Sequence, residues 1–215
     1  IASIRMDYPG CGDSKEQFRN NHLTNMIQYT EDAMQYMNEH YSVDKNSVGI
    51  FGYSMGGRIS LEMLINKNNH FKGVCLLAPA ADTEDLKNLF GGAKNWENLK
   101  KRAQESKDGY VDFTTIYGQE QELSTKWFED LETNDLATLL KEVKSSYTGP
   151  SMVIYAVDDT AVSPTVSKTV AEILQSEVIM TPEDGHSYGF YSDKAYVKRI
   201  VVENTVDFFV DKLLK

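Results

Sequence analysis

Gly52-Tyr53-Ser54-Met55-Gly56, with Gly57 following, sets one serine in a G-x-S-x-G frame. The frame falls between a short apolar run at 47–51, read as a strand, and a helical pattern that begins near Met55. A serine at so sharp a strand-to-helix turn takes a strained backbone conformation. Side chains two residues to either side would collide there, and glycines at 52 and 56 remove them. Such a turn lifts the Ser54 hydroxyl above the sheet, beside N–H groups that the first helical turn leaves unpaired. This is the placement of a nucleophile. The plainer alternative is a glycine-rich βα turn, which the strand–turn–helix context disfavours.

A serine hydroxyl is a weak nucleophile without a base. The chain has four histidines. His22 and His40 stand at the start and end of one amphipathic pattern, and His70 lies in the polar turn Asn68-Asn69-His70. Each of these reads as a solvated or capping side chain. His186 differs, because Glu183-Asp184-Gly185-His186-Ser187-Tyr188 is a loop directly after an apolar strand, where an open α/β sheet carries its active site. The imidazole needs an orienting group, usually a carboxylate. Asp158 and Asp159 end the strand Met152-Val153-Ile154-Tyr155-Ala156-Val157, one helix-plus-strand unit before His186. An acidic pair there is otherwise a turn or helix cap. Beside Ser54 and His186, the catalytic reading of the pair dominates, and the order Ser, Asp, His matches that of the α/β-hydrolase fold.

The elements that must position these residues alternate. Residues 1–6 predict a strand, followed by a turn-rich loop. Leu23, Met26, Ile27, Thr30, Ala33, Met34 and Met37 then recur at helical spacing, for a helix of about five turns. The strand at 47–51 and a helix at 55–66 lead to Val74-Cys75-Leu76-Leu77-Ala78, a continuous apolar strand of the kind buried on both faces and stopped by Pro79. Residues 80–149 are polar, with helical patches near 85–90, 96–103, 124–131 and 135–143. The alternation resumes with a strand at 151–157, a helix at 163–174 opened by Ser-Pro, a strand at 177–180 and a closing helix at 194–214. The expectation is an α/β fold with a mostly parallel sheet flanked by helices. Its core spans 1–79 and 150–215, and a mainly helical cap at 80–149 follows the third strand.

With these motifs in view, the chain resembles the α/β-hydrolase superfamily from the middle of the sheet onward. Besides the serine turn, Asp7-Tyr8-Pro9-Gly10-Cys11-Gly12-Asp13-Ser14 resembles that family's D-x-x-G-x-G-x-S loop. Ala156-Val157-Asp158-Asp159-Thr160-Ala161-Val162 resembles its G-x-x-D-x-x-V segment, which selects Asp159 over Asp158, and Gly185-His186 matches its G-H loop. A cap of this size after Ala78-Pro79 is most similar to small bacterial serine esterases of the cinnamoyl/feruloyl type. The resemblance implies Ser54 as nucleophile, His186 as base, Asp159 as orienting acid and the Met55 backbone N–H as an oxyanion donor, with no cofactor and no metal. The family's second oxyanion donor comes from an H-G loop earlier than anything in this chain. Tyr53 stands where many relatives have His, and Ala156 where many have Gly. The alternatives are a serine peptidase or thioesterase with the same triad, or a non-catalytic binding module of this fold.

Composition narrows the partners. The 215 residues carry 32 acids against 22 bases, a formal charge of −10. That leaves no basic surface for nucleic acid or an anionic membrane. The expected partner is a small-molecule ester, and a homo-oligomer stays open. Cys11 and Cys75 are too few for a disulfide framework and suggest a reducing, cytoplasmic compartment. Because the chain opens at Ile1 on a strand-like pattern, it reads as lacking its natural N-terminus, and secretion stays open. Phe90, Trp96, Tyr110, Phe113, Tyr117, Trp127 and Phe128 could line a pocket for an aromatic acyl group. The favoured reading makes them the cap's own core. Tyr188, Phe190 and Tyr191, next to His186, are the better candidates for lining the substrate.

Overall fold

Short, mostly apolar runs form the strands of the parallel sheet, and longer 3.6-residue patterns form the helices. The computed structural model describes residues 1–66, 68, 70–115 and 118–215, so Tyr117 and Asn69 lie outside the described residues. In order, the elements are α1 (Leu23–His40), β1 (Gly49–Tyr53), α2 (Met55–Ile65), β2 (Gly73–Leu77), α3 (Thr83–Leu89), α4 (Ala93–Glu105), β3 (Tyr110–Thr114), β4 (Glu120–Ser124), α5 (Thr125–Thr133), α6 (Leu136–Ser146), β5 (Ser151–Ala156), α7 (Pro164–Leu174), β6 (Glu177–Thr181) and α8 (Ala195–Leu214). Two further single turns are 3-10, at Phe18–Asn20 and Gly185–Ser187. The chain forms two units, one of Ile1–Val43 with Leu86–Asp135, the other of Asp44–Asp85 with Leu136–Lys215.

The second unit is a four-stranded parallel sheet in the order β1-β2-β5-β6. Every residue of β2 and β5 is buried, which is why both read as unbroken apolar runs: helices cover both faces. Helix α2 packs on β1 and α6, α7 on β5 and α6, and α8 on β2 and β6. Register aligns the strand ends, with Tyr53 opposite Leu77, Leu77 opposite Ile154, and Ala156 opposite Thr181. The chain therefore leaves β1, β2, β5 and β6 along one carboxyl rim. Helix α7 opens as its sequence predicts, with Ser163 Oγ accepting the Thr165 N–H at 3.2 Å and Pro164 in the first turn, where its missing N–H is harmless.

Residues 1–6 form no strand, which corrects the expectation drawn from their alternation. Alternation marks a segment fit for half-burial, but a strand exists only through a partner's hydrogen-bond ladder. Ile1 and Ile4 are exposed instead. The strand that precedes residues 80–149 is accordingly the chain's second, not its third.

The first unit is built on aromatic rings. Trp96 and Phe128 are fully buried and meet edge to face at 5.0 Å between centroids. Trp127 packs 5.1 Å from Trp96, and Phe90 stacks on Phe113 at 4.6 Å. Trp96, Trp127 and Phe128 are buried in the unit's core with Leu99, Leu123 and Leu131, and Phe90 and Phe113 are half-buried at its edge. Tyr110 has another partner, with the Arg19 guanidinium 3.9 Å above its ring and paired to Glu122 at 2.7 Å. Strands β3 and β4 form an antiparallel hairpin that the sequence reading did not include, because their outward Asp112, Thr114, Glu120 and Glu122 give the stretch a loop's polarity.

Candidate active site

Ser54 leaves β1 with φ 55° and ψ −116°, a conformation that disfavours any residue with a Cβ. Three backbone hydrogen bonds over-determine it. The Ser54 N–H donates to the Leu77 carbonyl at 2.9 Å, and the Ser54 carbonyl accepts from Gly57 N–H and Ala80 N–H, each at 2.9 Å. The strained turn is thus tied to the end of β2 and the loop beyond it. A Cβ on Gly52 would run into the Gly56 carbonyl and Ser60 Oγ, and one on Gly57 would lie 2.6 Å from Pro79 Cα. A Cβ on Gly56 meets nothing within 4 Å. The close approaches therefore require glycine at 52 and 57, which corrects the pairing of 52 with 56, because Gly57 is the residue that faces the loop after β2. Met55 is the first residue of α2, so its N–H has no acceptor within the helix.

Asp159 and His186 reach Ser54 from the loops after β5 and β6 on the same rim. His186 Nε2 lies 2.9 Å from Ser54 Oγ, and its Nδ1 lies 2.8 Å from Asp159 Oδ2. Asp159 Oδ1 accepts the N–H groups of Ala161 at 2.9 Å and Val162 at 3.0 Å. Burial pushes this carboxyl up, but hydrogen bonds from His186, Val162 and Tyr188 outweigh it and hold the group below the usual aspartate value. Asp158 points elsewhere, accepting from Gly185 N–H at 3.0 Å and Asp184 N–H at 3.3 Å. Asp184 accepts in turn from Gly189 N–H at 2.5 Å and the Ser192 hydroxyl at 2.9 Å. The loop that carries His186 is thus fastened at both ends.

Two tyrosines were not foreseen in these positions. Tyr188 is fully buried, and its hydroxyl donates to Asp159 Oδ2, so it lies behind the acid and does not line a substrate surface. Tyr53 donates its hydroxyl to the His186 carbonyl, with its ring 5.1 Å from the imidazole. Contacts that join residues 29 and 133 positions apart leave no periodic mark in a sequence. Phe190 and Tyr191 are exposed. His22 caps α1, accepting from Asn25 N–H, and His40 ends it. Burial pushes both thiols up, that of Cys75 to about 12, and both cysteines are free. Among the described residues there is no group of three or more side chains fit to hold a metal ion. No described helix is long and apolar enough to cross a membrane.

The arrangement sets an imidazole nitrogen within reach of a hydroxyl proton, with the opposite nitrogen held by a buried carboxylate. Those are the geometric conditions for an activated serine.

No curated protein matches the chain. Among solved structures it is similar to Est1E from Butyrivibrio proteoclasticus with ferulic acid bound, at 16% identity and a TM-score of 0.69 over 97% of this chain and 76% of that one. It is also similar to the alpha/beta hydrolase GrgF from Penicillium sp. sh18, at 14% identity and a TM-score of 0.67 over 96% and 78%. A third is the Paleococcus ferrophilus monoacylglycerol lipase, at 15% and 0.63 over 91% and 81%. At these identities the likeness speaks for the fold. A family profile, Hydrolase_4, described as serine aminopeptidase, S33, matches residues 1–187, and the chain belongs to that family, with the α/β-hydrolase fold.

Proposed function

We propose that the protein cleaves carboxylic esters through an acyl-enzyme, with Ser54, His186 and Asp159 as its catalytic set. The observation that carries this reading is the unbroken path from Ser54 Oγ to His186 Nε2 at 2.9 Å and from His186 Nδ1 to Asp159 Oδ2 at 2.8 Å. Ser54 Oγ attacks the ester carbonyl while His186 Nε2 takes its proton, and Asp159 stabilises the imidazolium. The oxyanion of the tetrahedral intermediate receives the Met55 N–H. Losing one such donor lowers turnover by about 10²–10³. The C–O bond then breaks, and the alcohol leaves with the proton from His186. Water, deprotonated by the same nitrogen, attacks the acyl group and releases the acid and free Ser54.

This chemistry needs neither a metal nor an organic cofactor, and its partner is a small-molecule ester. Residues 80–149 are read as the cap insertion of this fold. Ferulic acid bound to Est1E makes a cinnamoyl ester the first substrate to try. The family's description as a serine aminopeptidase favours a second reading, amide cleavage by the same three side chains. Turnover of 4-nitrophenyl butyrate, methyl ferulate and leucine 4-nitroanilide, each compared with Ser54→Ala, separates the readings. Ester turnover lost with Ser54 is expected. Anilide turnover alone transfers the site to peptides, and turnover that survives Ser54→Ala removes the proposal.

A further inference from the structure

Asp159 Oδ2 holds two hydrogen bonds, and only one involves the imidazole. Tyr188 Oη donates to this oxygen at 2.9 Å, while His186 Nδ1 lies 2.8 Å from it. The phenol oxygen also accepts the Ala156 N–H at 3.0 Å. That second bond directs the hydroxyl proton, since a lone pair faces β5 and the O–H is left to point at Asp159. Tyr188 arrives with φ 51°, in the left-handed region that a tyrosine rarely enters. A packing role would need only the ring, and phenylalanine would fill it. The buried, directed hydroxyl implies an electrostatic role.

We propose that Tyr188 is a positioning residue that tunes His186 as a base by sharing Asp159 Oδ2 with it; this rests on the reading of Ser54, His186 and Asp159 as the catalytic set. A carboxylate oxygen that already accepts an O–H offers less charge to the N–H beside it. The imidazolium is then held less tightly than an unshared carboxylate would hold it. Burial, and after it the charge of Asp159, push the Tyr188 phenol up, so it remains a donor throughout the working range.

Other ionisable groups face this pair. Asp158 holds the Gly185 N–H at 3.0 Å, and Asp85, at the start of α3, accepts the Ser163 N–H at 2.7 Å and adds its charge near Asp159. Tyr53 lies against the imidazole from β1, and Lys194 Nζ lies 3.8 Å from Asp184 Oδ1 in the loop that carries His186. None of these changes when Tyr188 alone is altered.

The test follows the His186 imidazole by NMR across pH in three forms of the full chain: unaltered, Tyr188→Phe, and with 3-fluorotyrosine incorporated at position 188. The fluorinated phenol is the stronger donor and keeps the native shape. The His186 midpoint is expected to rise by about half a pH unit or more in Tyr188→Phe and to fall with 3-fluorotyrosine. The acid limb of kcat/KM for 4-nitrophenyl butyrate should move the same way. A hydroxyl that matters only for folding lowers the melting temperature and leaves the midpoint in place, so equal midpoints in the three forms overturn the proposal. Should Tyr188→Phe fail to fold, the fluorinated chain decides by itself. If the unaltered chain hydrolyses no ester, the functional reading fails, and the NMR midpoints still decide the role of Tyr188.

Discussion

Asp158 and Asp159, adjacent at the end of β5, grip different parts of one loop: Asp159 Oδ2 lies 2.8 Å from His186 Nδ1, and Asp158 accepts the N–H of Gly185 at 3.0 Å. One carboxylate meets the imidazole and its neighbour holds the backbone that carries it. Replacing them should separate the two functions. Asp159→Asn presents an amide to the imidazole and favours the wrong tautomer, for an expected loss of about 10⁴ in kcat. Asp158 takes the two N–H groups on different oxygens, so Asp158→Asn keeps one acceptor and leaves one N–H without its partner, and a change of about 1 kcal/mol limits its loss to about tenfold. Steady-state kinetics on one ester checks both.

Ser54, the proposed nucleophile, has a strained backbone, φ 55° and ψ −116°. Glycine relieves that strain and alanine does not. Both substitutions should abolish turnover. In urea titrations Ser54→Gly should exceed Ser54→Ala in stability by about 1–2 kcal/mol. Equal stabilities would show that the turn is not strained at this residue.

The glycines around Ser54 should respond unequally. A Cβ at 57 would lie 2.6 Å from Pro79 Cα, and one at 52 would meet the Gly56 carbonyl. Gly52→Ala and Gly57→Ala are each expected to destabilise by about 1–3 kcal/mol or more, since backbone cannot give way as a side chain can. Gly56→Ala meets open space within α2 and should be neutral, or stabilising by up to about 1 kcal/mol through helix propensity. Thermal melts of the three variants check the order.

Acid should weaken the fold in a defined window. Burial raises the carboxyls of Asp159 and Asp130, yet hydrogen bonds hold both below 3.8, to His186 for Asp159 and to Lys126 for Asp130. A group whose value is depressed in the folded state stabilises above its unfolded value. It loses that contribution as pH falls through the folded one. Asp85 runs the other way, raised by burial, and gains on acidification. Urea midpoints should hold steady down to about pH 5 and fall below about pH 4. The fall should be shallower in Asp159→Asn.

What could be read before the structure, and what could not, divides by range. Ser54 was visible because its glycine frame sits between a strand pattern and a helix pattern, and β1 and α2 form on either side of it. His186 and the acidic pair followed from their places after apolar strands. The choice of Asp159 over Asp158 needed a family likeness, since nothing local distinguishes two neighbouring carboxylates. Tyr188 on Asp159 and Tyr53 on the His186 carbonyl are long-range bonds without periodicity. The β3–β4 hairpin was hidden by polar residues on its outer face. Residues 1–6 show the opposite error: a strand pattern with no ladder partner remains only a pattern.

The central claim is that Ser54 is a nucleophile activated by His186. A fluorophosphonate probe with peptide mapping by mass spectrometry tests it most directly, on the unaltered chain, Ser54→Ala and His186→Ala. An adduct on the peptide containing Ser54, absent from Ser54→Ala and formed far more slowly in His186→Ala, is the predicted result. An adduct on another residue, or a labelling rate that His186→Ala leaves unchanged, would contradict it.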